Sequence, residues 1–466
     1  MVRTRFVVSF ALVLALGCKQ QSETASAPPS DTASNTASTT ASTSTGQQAT
    51  LPQACTQGSC PNSLCPTALP ATAPAVPQDA CQKFEGNQDA VDTFAWNQFI
   101  ALNWPADKAT CAPNSNSIAN VKSNDGTVVV WQTYMSSDRV FVATGQPSAW
   151  CSGNALNAGG VRAFDDIAKA EQNFHALGGA FAAIAEPDDV KQAAGGVLTD
   201  QQGRWLRYEK LMNQDEYNYI TKNNIWKKTV LQQWANAKTP IKLPNGVDDS
   251  TQYGNIGAIE VKAAWKVLSD AEVQGGRYFT TTATVYNDVK GSPSPGKNPV
   301  TMGLVGLHII HKTPSQAGLF WSTFEHVDND KVFSNPSSPT KPNTQTAKTP
   351  YIELNPDGTP HNTPVQVKRT KQFPTEDADE LNAYYQKLLG GSVFANYRLL
   401  STQWGTGTIA TGTPPYVANI TMETFVQDLV NPTSKATGCF ACHLNATTSI
   451  PNQTSDHSFL FLAAQQ

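Results

Sequence analysis

The sequence predicts an α+β fold in which helices pack on an antiparallel β-sheet. Apolar residues recur at helical spacing near residue 90, where Val91, Phe94 and Leu102 fall on one face. By contrast, residues 258–327 are rich in β-branched and aromatic side chains and are divided by loops rich in Gly, Pro and Asn, which is typical of antiparallel strands. No internal repeat and no coiled-coil pattern is present.

The first predicted helix begins at Asp89, whose carboxylate can cap its N-terminus, and it ends before Pro105, just past Trp104. Further helices are predicted over residues 164–177, 203–222, 225–236, 377–389 and 420–430. Strands are predicted over residues 127–134, 258–268, 277–286, 301–311, 319–326 and 393–404.

Two of these strands are predicted to pair as a hairpin around residues 312–318. That pairing puts Met302 and His326 towards the open end of the hairpin and His311 beside the turn. His308 and His311 then face opposite sides of their strand, because their positions differ by three, an odd number.

The composition is that of a loop-rich globular protein. The 466 residues include 31 Gly and 30 Pro, and charged side chains make up only 15% of the chain. This length suffices for one large domain or two ordinary ones. The formal net charge is −4 and the chain has no basic cluster, so a nucleic-acid binder is not predicted.

Residues 1–17 resemble a lipoprotein signal peptide. Arg3 and Arg5 form a positive start, and the apolar stretch that follows is too short to span a membrane. Gly17 directly precedes Cys18, which predicts cleavage there and lipidation of Cys18, although Ala15 replaces the usual large aliphatic residue. Cleavage would remove two arginines and change the formal charge from −4 to −6. The alternative is an ordinary cleaved signal with an incidental cysteine.

Residues 18–50 are predicted to be a flexible tether behind the lipid. They are almost entirely Gln, Ser, Thr, Ala and Pro, without an aromatic residue, so they cannot bury enough apolar surface to fold. Lys19 follows the lipidated cysteine, which favours an outer-membrane anchor facing the periplasm or the cell surface. A Cys- and Pro-rich segment, 51–88, separates the tether from the α+β body at 89–466.

Apart from Cys18, Cys439 and Cys442, six cysteines remain, and an even number in an exported chain favours disulfides. They are Cys55, Cys60, Cys65, Cys81, Cys111 and Cys151. Cys111–Cys151 is the predicted pair outside the N-terminal cluster, and the other pairings stay open. A metal site at 55–81 is a weaker hypothesis, because no histidine lies nearby to complete a mixed site.

The segment Cys439-Phe440-Ala441-Cys442-His443 has the CxxCH pattern of covalent haem attachment. Its two thiols can form thioethers with the porphyrin vinyl groups, and the following histidine can then ligate the iron. The motif occurs once, so the sequence predicts one covalent haem c, with Cys439, Cys442 and His443 binding the cofactor and its iron. A redox disulfide and a zinc half-site are the alternatives.

The motif lies unusually late in the chain, with 23 residues after it and no methionine among them. A sixth iron ligand must therefore come from the preceding body or from His457, or be absent. The candidates are His326, Met302, Met422 and His457. An open or water-bound site is the remaining possibility.

Five tryptophans fall in predicted regular elements: Trp96, Trp104, Trp131, Trp321 and Trp404. Core packing is the favoured interpretation, because aromatic side chains dominate protein cores. Shielding of a haem or an electron route is the alternative.

Four segments resemble a group of bacterial exported proteins described only as "cytochrome c family", with a C-terminal CxxCH. They are residues 94–105, 318–329, 397–404 and 421–425. The resemblance covers most of residues 90–460 and excludes the tether and the cysteine cluster at 55–81. It implies that Cys439, Cys442 and His443 bind haem, and it implies no substrate or catalytic residue.

The favoured hypothesis is a lipid-anchored electron-transfer protein whose redox partner is unidentified. The alternative is a haem enzyme of oxygenase or peroxidase type with an open iron position, since a carrier does not need so large a body. No acid–base pair can be assigned from the sequence. A gas-sensing module is a third hypothesis, disfavoured because no signalling domain follows.

Overall fold

The computed structural model describes residues 65–80, 87–152, 162–164, 206–285, 299–329, 376–405, 417, 419–422, 439–444 and 446–464. All of them belong to one compact unit, residues 50–466. Cys18, the tether and the predicted helix at 164–177, apart from Phe164, lie outside the described residues.

Eight helices and eight strands lie within the described ranges. The helices are α1 (Gln88–Leu102), α2 (Ser137–Val140), α3 (Gln214–Lys222), α4 (Lys228–Asn236), α5 (Ser250–Tyr253), α6 (Asp270–Gly275), α7 (Glu376–Leu389) and α8 (Cys439–His443). The strands are β1 (Met135–Ser136), β2 (Arg162–Phe164), β3 (Arg207–Met212), β4 (Ile259–Val267), β5 (Thr280–Val285), β6 (Val300–His311), β7 (Phe320–His326) and β8 (Tyr397–Gln403).

The strands form one mixed sheet that is mainly antiparallel, as the sequence predicts. Seven strands are joined by antiparallel pairings, and β2 adds to β5 in parallel. The long strand β6 is central: β4 runs along one edge, while β5 and β7 share the other edge end to end. The fold is therefore of the mixed α and β class.

The predicted hairpin of β6 and β7 is confirmed. His311 pairs with Phe320 beside the turn, and Gly306 pairs with Glu325 towards the open end. His308 and His311 also face opposite sides of the sheet, because His308 contacts Trp321 whereas His311 contacts Gln98 of α1. The two faces of this hairpin consequently meet different parts of the chain.

One face carries α1 and the main core. Trp96 of α1 packs edge-on against Phe324 of β7, with ring centroids 5.1 Å apart, and stacks on Tyr385 of α7 at 4.9 Å. Its indole N–H donates to Asn382 Oδ1 at 3.1 Å. Trp96, Trp104 and Trp131 are fully buried in this core, as the packing interpretation predicts.

The helix caps differ from the prediction at the start of α1. Asn87, and not Asp89, is the N-cap: its side chain accepts a hydrogen bond from Ala90 N at 3.1 Å. Asp89 lies in the first turn instead, where its negative charge favours the helix N-terminus.

The predicted strand at 127–134 is wrong. Val130–Thr133 form a 3₁₀ turn, since Gln132 Oε1 accepts from Val129 N and Thr133 Oγ1 donates to Val130 O. Such local side-chain hydrogen bonds compete with the backbone hydrogen bonds of a β-sheet. The β-branched composition of the segment favoured the sheet.

Within the predicted helix at 203–222, residues 207–212 form β3 instead, and 203–205 lie outside the description. Asn213 divides the segment, because its side chain caps α3 by accepting from Glu216 N at 3.1 Å. The predicted strand at 393–404 similarly begins with a 3₁₀ turn, Val393–Asn396, before β8. For the predicted helix at 420–430, the described residues 420–422 form a turn and the rest lies outside the description.

The Cys- and Pro-rich segment is described over residues 65–80 and packs on the body. Leu69, Ala73 and Val76 lie against the main core, and Cys65 is disulfide-bonded. No helix within the described ranges is both long and apolar enough to cross a membrane.

Cys111 and Cys151 form the predicted disulfide, which closes a loop of 40 residues. We expect the variant Cys111→Ala with Cys151→Ala to lose about 4 kcal/mol of unfolding free energy, because the unfolded chain regains the entropy of that loop. Urea unfolding of the oxidised proteins measures this difference. A variant that unfolds at the wild-type urea concentration would contradict the expected contribution.

Candidate functional site

The CxxCH motif forms the short helix α8, which rests on the second face of the sheet. The backbone N–H of Phe440 donates to Gln403 Oε1 of β8 at 2.9 Å. The Phe440 ring lies over Gly318, where an added Cβ would come within 2.6 Å of ring atom Cε1. A side chain at position 318 would therefore displace the motif.

Cys439 is 6% exposed and packs in a cluster with Ile310, Leu319 and Trp321. Its Sγ lies 3.7 Å from the carbonyl oxygen of Val417. Cys442 lies in the same helix, one turn on, and its side chain is outside the description. The helix thus places Cys439 beside the β6–β7 hairpin.

His443 is oriented by one hydrogen bond and two aromatic contacts. Its Nδ1 lies 2.7 Å from the carbonyl oxygen of His457. A carbonyl can only accept, so Nδ1 carries the proton and Nε2 keeps its lone pair. The rings of Trp321 and Phe459 lie 4.0 and 4.6 Å from the His443 ring, centroid to centroid.

The His443 ring is held in its neutral form. Burial lowers the pKa of His443 to about 3, against the opposing effect of the hydrogen bond to His457. The positive charge of Lys262 lowers the same pKa further. A neutral imidazole with an oriented Nδ1–H is the form in which histidine binds metal ions through Nε2.

The acceptor carbonyl belongs to a loop with fixed geometry. Asp456 and His457 both have positive φ, 49° and 74°. Asp456 holds this conformation through its carboxylate, which accepts from Leu243 N at 2.8 Å and from Lys312 Nζ at 3.0 Å. The loop therefore presents the His457 carbonyl, and not its imidazole, to His443.

The candidates for a sixth ligand are widely separated in the structure. His326 lies five residues along β7 from Trp321, about 17 Å away. Both of its ring nitrogens are engaged, Nε2 with Arg277 O and Nδ1 with Asp328 N, each at 3.1 Å. Neither this distance nor these hydrogen bonds support the prediction that His326 ligates the iron.

Met302 lies in the main core, eight residues along β6 from Ile310, about 27 Å away. Met422 is fully buried in a turn. His457 lies near the motif, but it sits on the Nδ1 side of His443, with its ring 5.7 Å from that of Phe440. It therefore does not face the Nε2 side.

Sequence reasoning missed two residues of the β-sheet that contact or adjoin the motif, and it gave a role near the haem to a third, Trp321, only as an alternative. Gln403 holds α8, Lys262 lies on β4 beside His308, and Trp321 contacts His443 although packing was the favoured interpretation. The alternation of side chains along the strands could have indicated these residues, because His308, Ile310 and their cross-strand partners share one face of the sheet. Only the strand register shows which residues meet there.

Two buried carboxyl groups lie next to the loop that contains Asp456 and His457. Burial raises the pKa of Glu260 to about 7, and burial together with the neighbouring Glu260 raises that of Glu216 well above its usual value. A hydrogen bond from Ser458, one residue after His457, opposes the shift of Glu260.

A carboxyl group that keeps its proton in the fold makes the folded state lose stability as pH rises from about 4.5 to about 7. We expect Glu260→Gln to flatten this decline, because the amide has the same shape and does not ionise. Urea midpoints at pH 5 and pH 8 measure the slope, and Glu380→Gln on the exposed side of α7 is the matched control. Equal slopes for wild type and Glu260→Gln would contradict the expectation.

The donor set at α8 fits a haem better than a bare metal ion. Within the described ranges, no group of three or more His, Cys, Asp or Glu side chains lies close enough to hold a metal ion. A porphyrin supplies four nitrogen ligands of its own, so a single oriented imidazole is enough protein ligation on one side. Comparisons with protein-family models, curated proteins and solved structures find no match for the chain.

Proposed function

We propose that this protein is an exported mono-haem c-type cytochrome that binds haem covalently and transfers electrons. One observation carries the proposal: in the CxxCH helix, the Nδ1–H of His443 donates to the His457 carbonyl at 2.7 Å. That bond leaves Nε2 as the lone-pair nitrogen of a neutral ring, which is the state an axial iron ligand requires. A redox disulfide at Cys439 and Cys442 gives no reason for such an orientation.

The residues that would hold the group are Cys439 and Cys442, through thioethers, and His443, through Nε2. Bound there, haem c would supply one-electron chemistry at its iron. Trp321 and Phe459 restrict rotation of the His443 ring, and Gln403 fixes the helix that carries it.

The export and anchoring of the protein belong to the same proposal. A lipid on Cys18 would attach the chain to the outer membrane, and residues 18–50 would let the body reach a redox partner protein at the periplasmic or cell-surface side. Covalent haem attachment takes place outside the cytoplasm in bacteria, so the signal peptide and the CxxCH motif agree with each other.

A haem enzyme with an open iron site is the second candidate. It is favoured by the positions of His326 and Met302, about 17 and 27 Å along their strands from the residues that contact the motif. These distances support an iron position that neither residue occupies.

The optical spectrum of the reduced protein with and without carbon monoxide tests the two candidates. Unchanged low-spin bands support the carrier and exclude an open site. A prompt shift on adding carbon monoxide supports the enzyme. A purified, periplasmically matured protein without any covalent haem would contradict both candidates.

A further inference from the structure

Lys262 and His308 lie side by side on the sheet face that carries the CxxCH helix. They are direct cross-strand partners in the antiparallel register of β4 and β6, so their side chains share one face. Trp321 of β7 is on this face as well, because it pairs with Ile310, two residues from His308. Helix α1 packs on the opposite face through Phe324.

Lys262 and His308 lie between two places where the C-terminal part of the chain contacts this face of the sheet. On one side, Cys439 packs on Ile310 and Trp321. On the other side, Thr421 lies over Gly306, so closely that a Cβ at position 306 would come within 2.2 Å of Thr421 Oγ1. His308 lies midway along β6 between Gly306 and Ile310, hence between the two contacts.

The protonation of His308 follows from its contact with Trp321. The indole Nε1 lies 2.9 Å from His308 Nδ1, and an indole nitrogen can only donate. Nδ1 is therefore the acceptor, and the proton of the neutral ring is on Nε2. In this state His308 can donate a hydrogen bond through Nε2 but cannot ligate iron.

Lys262 adds a positive charge at the same place. Its ammonium group lies over the ring of Tyr208, 4.9 Å from the centroid, and the Tyr208 hydroxyl donates to Thr421 O at 2.7 Å. The ammonium group is thus held beside the Tyr208 ring, at the edge of the turn at residues 420–422. Trp321, which donates to His308, also contacts the His443 ring at 4.0 Å between centroids, and this places the pair near the proposed ligand.

We propose that Lys262 and His308 form an anion-binding site beside His443. It would take a carboxylate or another small anion, which an ammonium group and an imidazole N–H bind together. Two sources are compatible with this chemistry: a propionate of the haem itself, or a free inorganic anion held by the pair. This inference rests on the proposed haem attachment.

The test uses the ferric, full-length protein with its covalent haem, and sodium azide as the probe. Optical titration gives the azide affinity of wild type, Lys262→Met and His308→Leu, and resonance Raman spectroscopy follows the propionate bending band. Lys262→Arg keeps the charge and should restore wild-type behaviour. Lys228→Met removes an exposed lysine of α4 and is the control for net charge.

A free inorganic anion held by the pair predicts azide affinity at least tenfold weaker in both Lys262→Met and His308→Leu. A haem propionate predicts a shifted propionate band in both variants, with azide affinity within twofold of wild type. If both variants retain haem and change neither quantity more than Lys228→Met does, the inference is wrong while the proposed function stands. Wild-type protein without covalent haem would overturn the two together.

Discussion

Replacing Cys439 and Cys442 together with alanine should abolish covalent haem completely. Each thiol supplies one of the two thioether bonds, and no other CxxCH segment exists in the chain to replace them. The measurement is haem absorbance per protein after denaturing electrophoresis, which removes any haem that is not covalently bound. The fold itself should persist, because the main core lies on the opposite face of the sheet.

The matched control is the disulfide pair Cys111 and Cys151, changed to alanine in the same way. This variant loses two cysteines and a constraint on the unfolded state, yet it leaves α8 and its contacts intact. It should keep the wild-type ratio of haem to protein. Covalent haem in the Cys439→Ala, Cys442→Ala variant would show that attachment occurs elsewhere.

Changing His443 to alanine should leave the haem attached but remove its protein ligand on that side. Both thioethers remain, whereas the iron loses the Nε2 that the His457 carbonyl orients. We expect a large shift of the Soret band towards a high-spin form, partly reversed by added imidazole, which can enter the vacated position. An unchanged spectrum of the ferric protein would contradict ligation by His443.

His457→Gly is the control that separates the two neighbouring histidines. The structure assigns the backbone carbonyl of His457, not its imidazole, to the contact with His443. Glycine adopts the positive φ of 74° at this position without strain, so the carbonyl should stay in place. The variant should keep the wild-type spectrum; a shift as large as that of His443→Ala would indicate ligation by His457.

The sheet and its central hairpin were predictable because their signals are local. Alternating β-branched and aromatic residues in β4, β6 and β7 are separated by clear loop sequences, and odd and even positions then fix the faces. The errors at 130–133 and 207–212 arose where side-chain hydrogen bonds decide the backbone. Asn213 and Gln132 form such bonds with backbone N–H groups, and composition does not show them.

At the candidate site, the CxxCH motif could be predicted from the sequence, whereas the residues that surround it could not. Gln403, Trp321 and Lys262 lie on three different strands, and only the strand registers bring them to the helix. The same registers carry His326 away from the motif, although it was one of the ligand candidates in the sequence. The number of residues between each candidate and the motif does not predict the distance between them in the fold.

The central claim is tested most directly by mass analysis of the tryptic peptide that follows Lys435, from protein matured in a bacterial periplasm. This peptide contains Cys439, Cys442, His443 and His457. The account predicts a peptide heavier by one haem, with fragment ions that place the added mass on the two cysteines. A peptide of unmodified mass, or one carrying only a disulfide between Cys439 and Cys442, would contradict it.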